Sequence, residues 1–135
     1  MNIRTAVGHD IETLLRYDKH ICKTELQNAV TLGRVLIMEA DGSFAGLLRW
    51  NLFWDSIPFM NMLYLIRGCR GKGYGKMLVT FWEKAMREKG HSLVMTSTLS
   101  SESAQHFYRK LDYVDAGSLL LKGEPLEIIF TKELP

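Results

Sequence analysis

The chain has 135 residues, 47% of them apolar and 24% charged, with a formal net charge of +2. That length suits one domain, 1–135, with a single core, and no apolar run approaches the roughly 18–20 residues of a membrane span. A charge so close to neutral does not by itself argue for nucleic acid, and the lack of an apolar stretch at the N-terminus points to a cytoplasmic protein.

Residues 2–7 read as a short strand. Asp10 offers an N-cap to a helix whose Ile11, Leu14, Leu15 and Ile21 recur at helical spacing. A second helix, 23–32, carries Leu26, Ala29, Val30 and Leu32, and Gly33 terminates it. Residues 34–40 form a strand, and Asp41-Gly42 is a hairpin turn. The returning strand, 44–54, has Trp50, Leu52 and Trp54 on one face and Arg49, Asn51 and Phe53 on the other. Asp55-Ser56-Ile57-Pro58 reads as a second turn. The run 59–66 is apolar on both faces apart from Asn61 and the Tyr64 hydroxyl, the pattern of a central strand covered on both sides.

A Gly-rich basic loop, 67–75, leads into a helix with the apolar stripe Met77, Leu78, Phe81, Trp82, Ala85 and Met86, ended by Lys89-Gly90. A strand at 92–98 follows, then a helix capped by Ser100 and carrying Ala104, Phe107, Tyr108 and Leu111. Two strands, 114–121 and 126–132, close the chain around Lys122-Gly123-Glu124-Pro125. The order β-α-α-β-β-β-α-β-α-β-β makes this an α/β protein, a mixed sheet of about seven strands flanked by about four helices.

Strand, basic Gly-rich loop and helix in succession make a recipe for binding an anion such as a pyrophosphate. The first N–H groups of a helix lack intrahelical partners, and its dipole adds positive potential there. Gly71, Gly73 and Gly75 let the backbone close around phosphate oxygens, and Arg70, Lys72 and Lys76 add charge. No acidic residue falls between Asp55 and Glu83, whereas Arg67, Arg70, Lys72 and Lys76 all do. The Walker A loop is excluded, because Arg70 and Met77 stand where its first Gly and its hydroxyl belong. The dinucleotide Gly-x-Gly-x-x-Gly is excluded too: from Gly71 its third Gly position holds Lys76, and from Gly73 it holds Leu78.

Arg70-Gly71-Lys72-Gly73-Tyr74-Gly75 resembles the Arg/Gln-x-x-Gly-x-Gly/Ala signature of the GNAT (GCN5-related N-acetyltransferase) superfamily. A second segment, Ala104-Gln105-His106-Phe107-Tyr108-Arg109-Lys110-Leu111-Asp112-Tyr113, is similar to that family's A-x-x-F-Y-x-K-x-G-F/Y, one helix and one strand downstream. The resemblance implies an acetyl-CoA-dependent N-acyltransferase in which an amine attacks the thioester directly in a ternary complex. It implies that Arg70, Gly71, Lys72, Gly73, Tyr74, Gly75 and Lys76 hold the pyrophosphate. Backbone groups of Leu65 and Ile66 would meet the pantetheine amide, with Ser101, Ala104, Phe107 and Tyr108 completing the cofactor side. Tyr108 matches the general acid that protonates the departing thiolate. Two departures stand out: Ser101 where the family often has Asn, and Asp112 where it has Gly.

The resemblance leaves the acceptor open between a small-molecule amine, the expected one, and a protein Lys or N-terminus. A non-catalytic acyl-CoA-binding module is the alternative. Asp55 and Glu102, then Glu39 and Glu127, are candidate bases for the amine, although any single carboxylate is more often a solvated surface residue, and none is assigned as catalytic. Trp50, Phe53, Trp54, Phe59 and Met60 suit either an acceptor pocket or plain core. His9, His20, His91, His106, Cys22 and Cys69 show no metal-ligand spacing, so no metal is expected. Neither nucleic acid nor membrane is expected as a partner, and the last two strands offer an edge to a second subunit.

Overall fold

The computed structural model describes residues Met1–Pro135. Seven strands and four α-helices follow the expected order: β1 Asn2–Thr5, α1 Ile11–Tyr17, α2 Lys23–Thr31, β2 Val35–Ala40, β3 Ser43–Phe53, β4 Ile57–Leu65, α3 Tyr74–Glu88, β5 Leu93–Leu99, α4 Ala104–Lys110, β6 Val114–Leu119 and β7 Glu127–Glu133. The sheet order is β1-β2-β3-β4-β5-β7-β6, so β4 is the middle strand. The β4–β5 pair is parallel, whereas β1–β2, β2–β3, β5–β7 and β6–β7 are antiparallel. The chain divides into two compact units: residues 1–51 with 61–84, and residues 52–60 with 85–135.

In the first unit, Ala6, Leu14, Leu26, Val35, Ile37 and Leu47 form the core, with Ile11, Leu15, Tyr17, Ile21, Ala29, Val30, Phe44, Met62 and Tyr64 packed around it. The Asp41-Gly42 turn appears as read, with φ of 53° and 77°, the double positive φ of a type I′ hairpin. Asp10 holds the N-cap position of α1, as expected, but its side chain makes no capping bond to that helix. Its carboxylate takes the Val7 N–H at 2.8 Å and the Arg4 guanidinium at 2.8 and 2.9 Å, so it caps the 3-10 turn Gly8–Asp10 that precedes α1. Leu32 lies beyond α2 and is 60% exposed, because the helix ends at Thr31 and Gly33 turns the chain with φ of 72°.

The turn after β3 falls earlier than expected. Trp54 and Asp55 have φ of 53° and 62°, and the Ser56 N–H reaches the Phe53 carbonyl at 3.1 Å. Trp54 therefore leaves the strand face shared with Trp50 and stands 78% exposed. The α3 stripe is also rotated from the apolar pattern. Gly75, Leu78, Val79, Trp82, Glu83 and Met86 are buried, whereas Met77 and Phe81 are exposed. The 75-78-79-82-83-86 spacing is the true helical face, and Gly75 and Glu83 hide it from a reading of apolar residues alone.

In the second unit, Val94, Met95, Tyr108, Tyr113 and Phe130 are buried. The Tyr108 ring lies 5.7 Å from that of Tyr113 and 6.0 Å from that of Phe130. A Schellman closure ends α3, with Gly90 N–H on the Arg87 carbonyl at 2.9 Å and His91 N–H on that of Met86 at 3.1 Å. Ser100 does not cap α4. Ser103 holds the N-cap position, and the Ser100 carbonyl instead accepts the Gln105 side-chain amide at 2.8 Å.

Candidate active site

The first unit carries the basic loop. β4 ends at Leu65, a short 3-10 turn Arg67–Cys69 follows, and α3 begins at Tyr74. The Gly73 carbonyl accepts the Met77 N–H at 3.1 Å, which makes Gly73 the helix N-cap and leaves the amides of Tyr74, Gly75 and Lys76 without intrahelical partners. Gly71 and Gly73 have φ of 72° and 83°, and a Cβ at either would meet nothing within 4 Å. The loop is thus an open cradle of backbone whose conformation favours glycine. Arg67, Arg70, Lys72 and Lys76 are exposed around it, and no acidic residue occupies the first turn of α3. Open space, unpaired amides and uncompensated positive charge are the features a pyrophosphate requires.

Three further groups surround the end of β4. Arg70 Nε donates to the Leu65 carbonyl at 2.9 Å, and its guanidinium lies 5.5 Å from the centroid of the Tyr64 ring. The Ile66 N–H is taken by the Ala45 carbonyl at 2.9 Å. In an antiparallel strand the backbone groups of adjacent residues face opposite edges, so those of Leu65 point away from β3. Gly46 makes this approach possible: a Cβ there would come within 2.6 Å of both the Tyr64 carbonyl oxygen and Leu65 Cδ2. The backbone at Gly46 raises no alarm in the sequence, because its freedom is used for proximity and not for a turn.

Reading the sequence also missed an aromatic group here. Tyr17 stacks on Phe44 with centroids 4.6 Å apart and lies 5.6 Å from Tyr64, and all three rings are half-buried. Nothing in local spacing pairs residues 17, 44 and 64. Asp18, one residue further, is buried and receives Arg49 Nε at 2.7 Å, which ties the end of α1 to β3.

The second unit carries Tyr108, 6% exposed on α4. Its phenol is pushed up from 10.0 to about 12, chiefly by burial; a hydrogen bond with Thr96 opposes the rise and the charge of Glu102 adds to it. The Thr96 hydroxyl donates to the Met60 carbonyl at 3.0 Å. Ser101 is exposed, while Ala104 and Phe107 are half-buried, with the Phe107 ring 5.3 Å from that of Tyr108. Asp112 adopts φ of 70° and closes α4: its N–H meets the Arg109 carbonyl at 3.1 Å and the Tyr113 N–H meets that of Tyr108 at 3.1 Å. An Asp fills the left-handed position where the motif has Gly.

The other candidates separate by burial. Trp50 and Met60 are core, the former 6.5 Å from Trp82, whereas Phe53 and Phe59 are half-buried and stacked at 6.0 Å. Glu39 is held by Asn2 and Arg4, each at 3.2 Å, and its carboxyl lies below the usual range, chiefly through the Arg4 bond. Asp55 and Glu102 are exposed, and Glu127 is half-buried. No group of three or more His, Cys, Asp or Glu is disposed to hold a metal, and no helix is long and apolar enough to cross a membrane.

The middle strand of an open mixed sheet thus delivers a glycine cradle to a helix N-terminus. The acetyltransferase (GNAT) family model matches residues 7–113, and the chain belongs to that family. A search of curated proteins gives no match. Among solved structures, a GNAT-family acetyltransferase from Bacillus cereus ATCC 10987 aligns with a TM-score of 0.80 at 21% identity, over 98% of this chain and 96% of that one. The PaiA N-acetyltransferase of Thermoplasma acidophilum, in complex with coenzyme A, aligns at 0.82 and 20%, over 98% of each chain. A ribosomal-protein-alanine N-acetyltransferase from Brucella melitensis aligns at 0.77 and 19%, over 99% of this chain and 100% of that one. These likenesses establish the fold. The family uses acetyl-CoA.

Proposed function

We propose that this protein is an N-acetyltransferase that moves the acetyl group of acetyl-CoA to a small-molecule amine by direct attack in a ternary complex. The observation that carries the reading is the cradle at Gly71 and Gly73, open above the free amides of Tyr74, Gly75 and Lys76. Those amides, with Arg70, Lys72 and Lys76, bind the pyrophosphate. The outward backbone of Leu65 takes the pantetheine amide as an added strand would; Ile66 stands beside it with its N–H committed to Ala45 and its carbonyl accepting the Cys69 N–H at 2.9 Å. Ser101, Ala104 and Phe107 contact the pantetheine arm.

Acetyl-CoA supplies an activated thioester, and the chain supplies order and a proton. Tyr108 is the proton donor for the departing thiolate. Burial supports the role, since a phenol held near 12 keeps its proton at neutral pH. The half-buried rings of Tyr17, Phe44 and Tyr64 form a compact aromatic surface suited to the body of a small amine.

Calorimetric titration of acetyl-CoA into wild type and into Gly73→Asp tests the cofactor claim. Tight binding is expected only for wild type, because the variant adds both a side chain and a negative charge to the cradle. Failure of the folded wild type to bind would remove the proposal. Tyr108→Phe is expected to retain binding and lose about 10²–10³-fold in kcat; unchanged kcat would assign the proton elsewhere. Thiol release scored against small amines, peptide N-termini and Lys peptides identifies the acceptor class, and turnover with none of them would favour an acyl-CoA-binding module.

A further inference from the structure

We propose that Thr96 is the positioning residue for Tyr108: its hydroxyl fixes the phenol and stabilises the phenolate left when the proton passes to the thiolate. The inference rests on the acid role given to Tyr108 above. Two registers place the Thr96 side chain. Across β5 and β7 it stands directly opposite Phe130, so the two side chains share one face of the sheet. The Phe130 ring packs 6.0 Å from that of Tyr108, which brings the phenol over the same face. On its other side Thr96 pairs with Met60 of β4, and its hydroxyl donates to the Met60 carbonyl at 3.0 Å. A further bond joins that hydroxyl to the Tyr108 phenol. One buried group therefore links β4, β5 and α4.

Packing alone gives no reason for a hydroxyl here. Thr96 is 1% exposed, and Val94, two residues earlier on the same face, is fully buried. A Val at 96 would fill the same branched shape with no polar atom to satisfy. Phe107, Tyr113 and Phe130 pack the Tyr108 ring, whereas Thr96 reaches its oxygen. During the reaction the amine nitrogen bonds the acetyl carbon, the carbon–sulfur bond breaks, and the phenol proton goes to sulfur. The phenolate recovers a proton from the water that takes up the one released by the amine, so one proton moves in net from nitrogen to sulfur. Thr96 has a single proton to give, and an anionic oxygen is a stronger acceptor than a backbone carbonyl. The hydroxyl therefore turns from Met60 to the phenolate as charge develops. Among the groups around the phenol, the Glu102 charge opposes ionisation and the Thr96 bond favours it. Tyr113 is the neighbouring titratable ring, with Lys132 5.5 Å from its centroid, and Arg109 stands 5.4 Å from that of Phe130.

Replacing Tyr108 by a difluorotyrosine, whose phenol ionises near neutral pH, lets fluorine NMR titrate that one group in the folded chain. Thr96→Val in this protein is expected to raise the midpoint by about one pH unit, and Thr96→Ser to leave it where Thr96 holds it. Thr96→Ala is a second deletion of the hydroxyl should the Val variant misfold, and circular dichroism reports the fold of each. The titration needs neither cofactor nor acceptor, so its result is separate from that of the proposed activity. In thiol release from acetyl-CoA with the amine found by the screen above, Thr96→Val is expected to lower kcat about tenfold at unchanged KM for acetyl-CoA. In the Tyr108→Phe background the same change is expected to do nothing further. A midpoint indifferent to loss of the hydroxyl, a shift that Ser reproduces, or an equal loss of kcat in both backgrounds would each overturn the proposal.

Discussion

Asp112 sits where the backbone turns left-handed to close α4, with φ of 70°, and carries a side chain that disfavours that conformation. Asp112→Gly removes the strain, partly offset by the greater unfolded-state freedom of Gly. The expected gain is about 0.5–1 kcal/mol in urea unfolding, and a loss of stability would mean that the Asp side chain makes a compensating bond. Gly71 and Gly73 present the reverse case, since an Ala there has space but an unfavourable φ. At the residue scale the motifs were readable. The Gly-rich loop, the Tyr108 segment and the unusual Asp at 112 all stand in consecutive residues, where short-range chemistry dictates conformation. Tyr17, Phe44, Gly46 and the Asp18–Arg49 pair were not readable, because each depends on a neighbour at least eighteen residues away.

At the scale of elements, the end of α1 is held by one buried ion pair. The Asp18 side chain is fully buried and that of Arg49 nearly so. Burial costs each charge its hydration, and the pair recovers that cost only while both members are present. Arg49→Ala should therefore lose about 3–5 kcal/mol, whereas the double change Asp18→Asn with Arg49→Met should lose much less. A chemical-denaturation cycle over the four proteins measures the difference; equal losses would show that Arg49 acts by packing alone. Element order was legible throughout because hydrophobic period and turn residues agree along the chain. The rotation of α3 was not, since Gly75 and Glu83 lie on its buried face while Met77 and Phe81 lie outside it. The same holds at Trp54, whose apolarity suggests strand and whose φ of 53° makes it a turn residue.

For the whole molecule, pH acts through groups of opposite sign, of which Tyr108 and Asp10 are the buried examples. The Tyr108 phenol is raised from 10.0 to about 12 in the folded state, so folding favours its protonated form. The associated stability is complete below pH 10 and is lost as pH rises toward 12, about 2–3 kcal/mol in all. Tyr108→Phe should flatten this alkaline loss in thermal melts, and an unchanged slope would show that other groups carry it. The Asp10 carboxyl is lowered, chiefly by its bond to Arg4, so its contribution is present above the ordinary carboxylate range and disappears as pH falls through its folded value.

The sequence by itself determined the order of the elements, the α/β class, the glycine cradle and the identity of the buried Tyr. All of these follow from periodicity, turn chemistry and contiguous motifs, which act over a few residues. Tertiary structure alone decided which face of α3 is buried, which aromatic rings gather at the end of β4, how close β3 and β4 approach at Gly46, and that β6 is the outermost strand, beside β7. The physical reason is distance along the chain: packing and sheet order are settled by partners far apart in sequence, and no local pattern records which partner a side chain will meet.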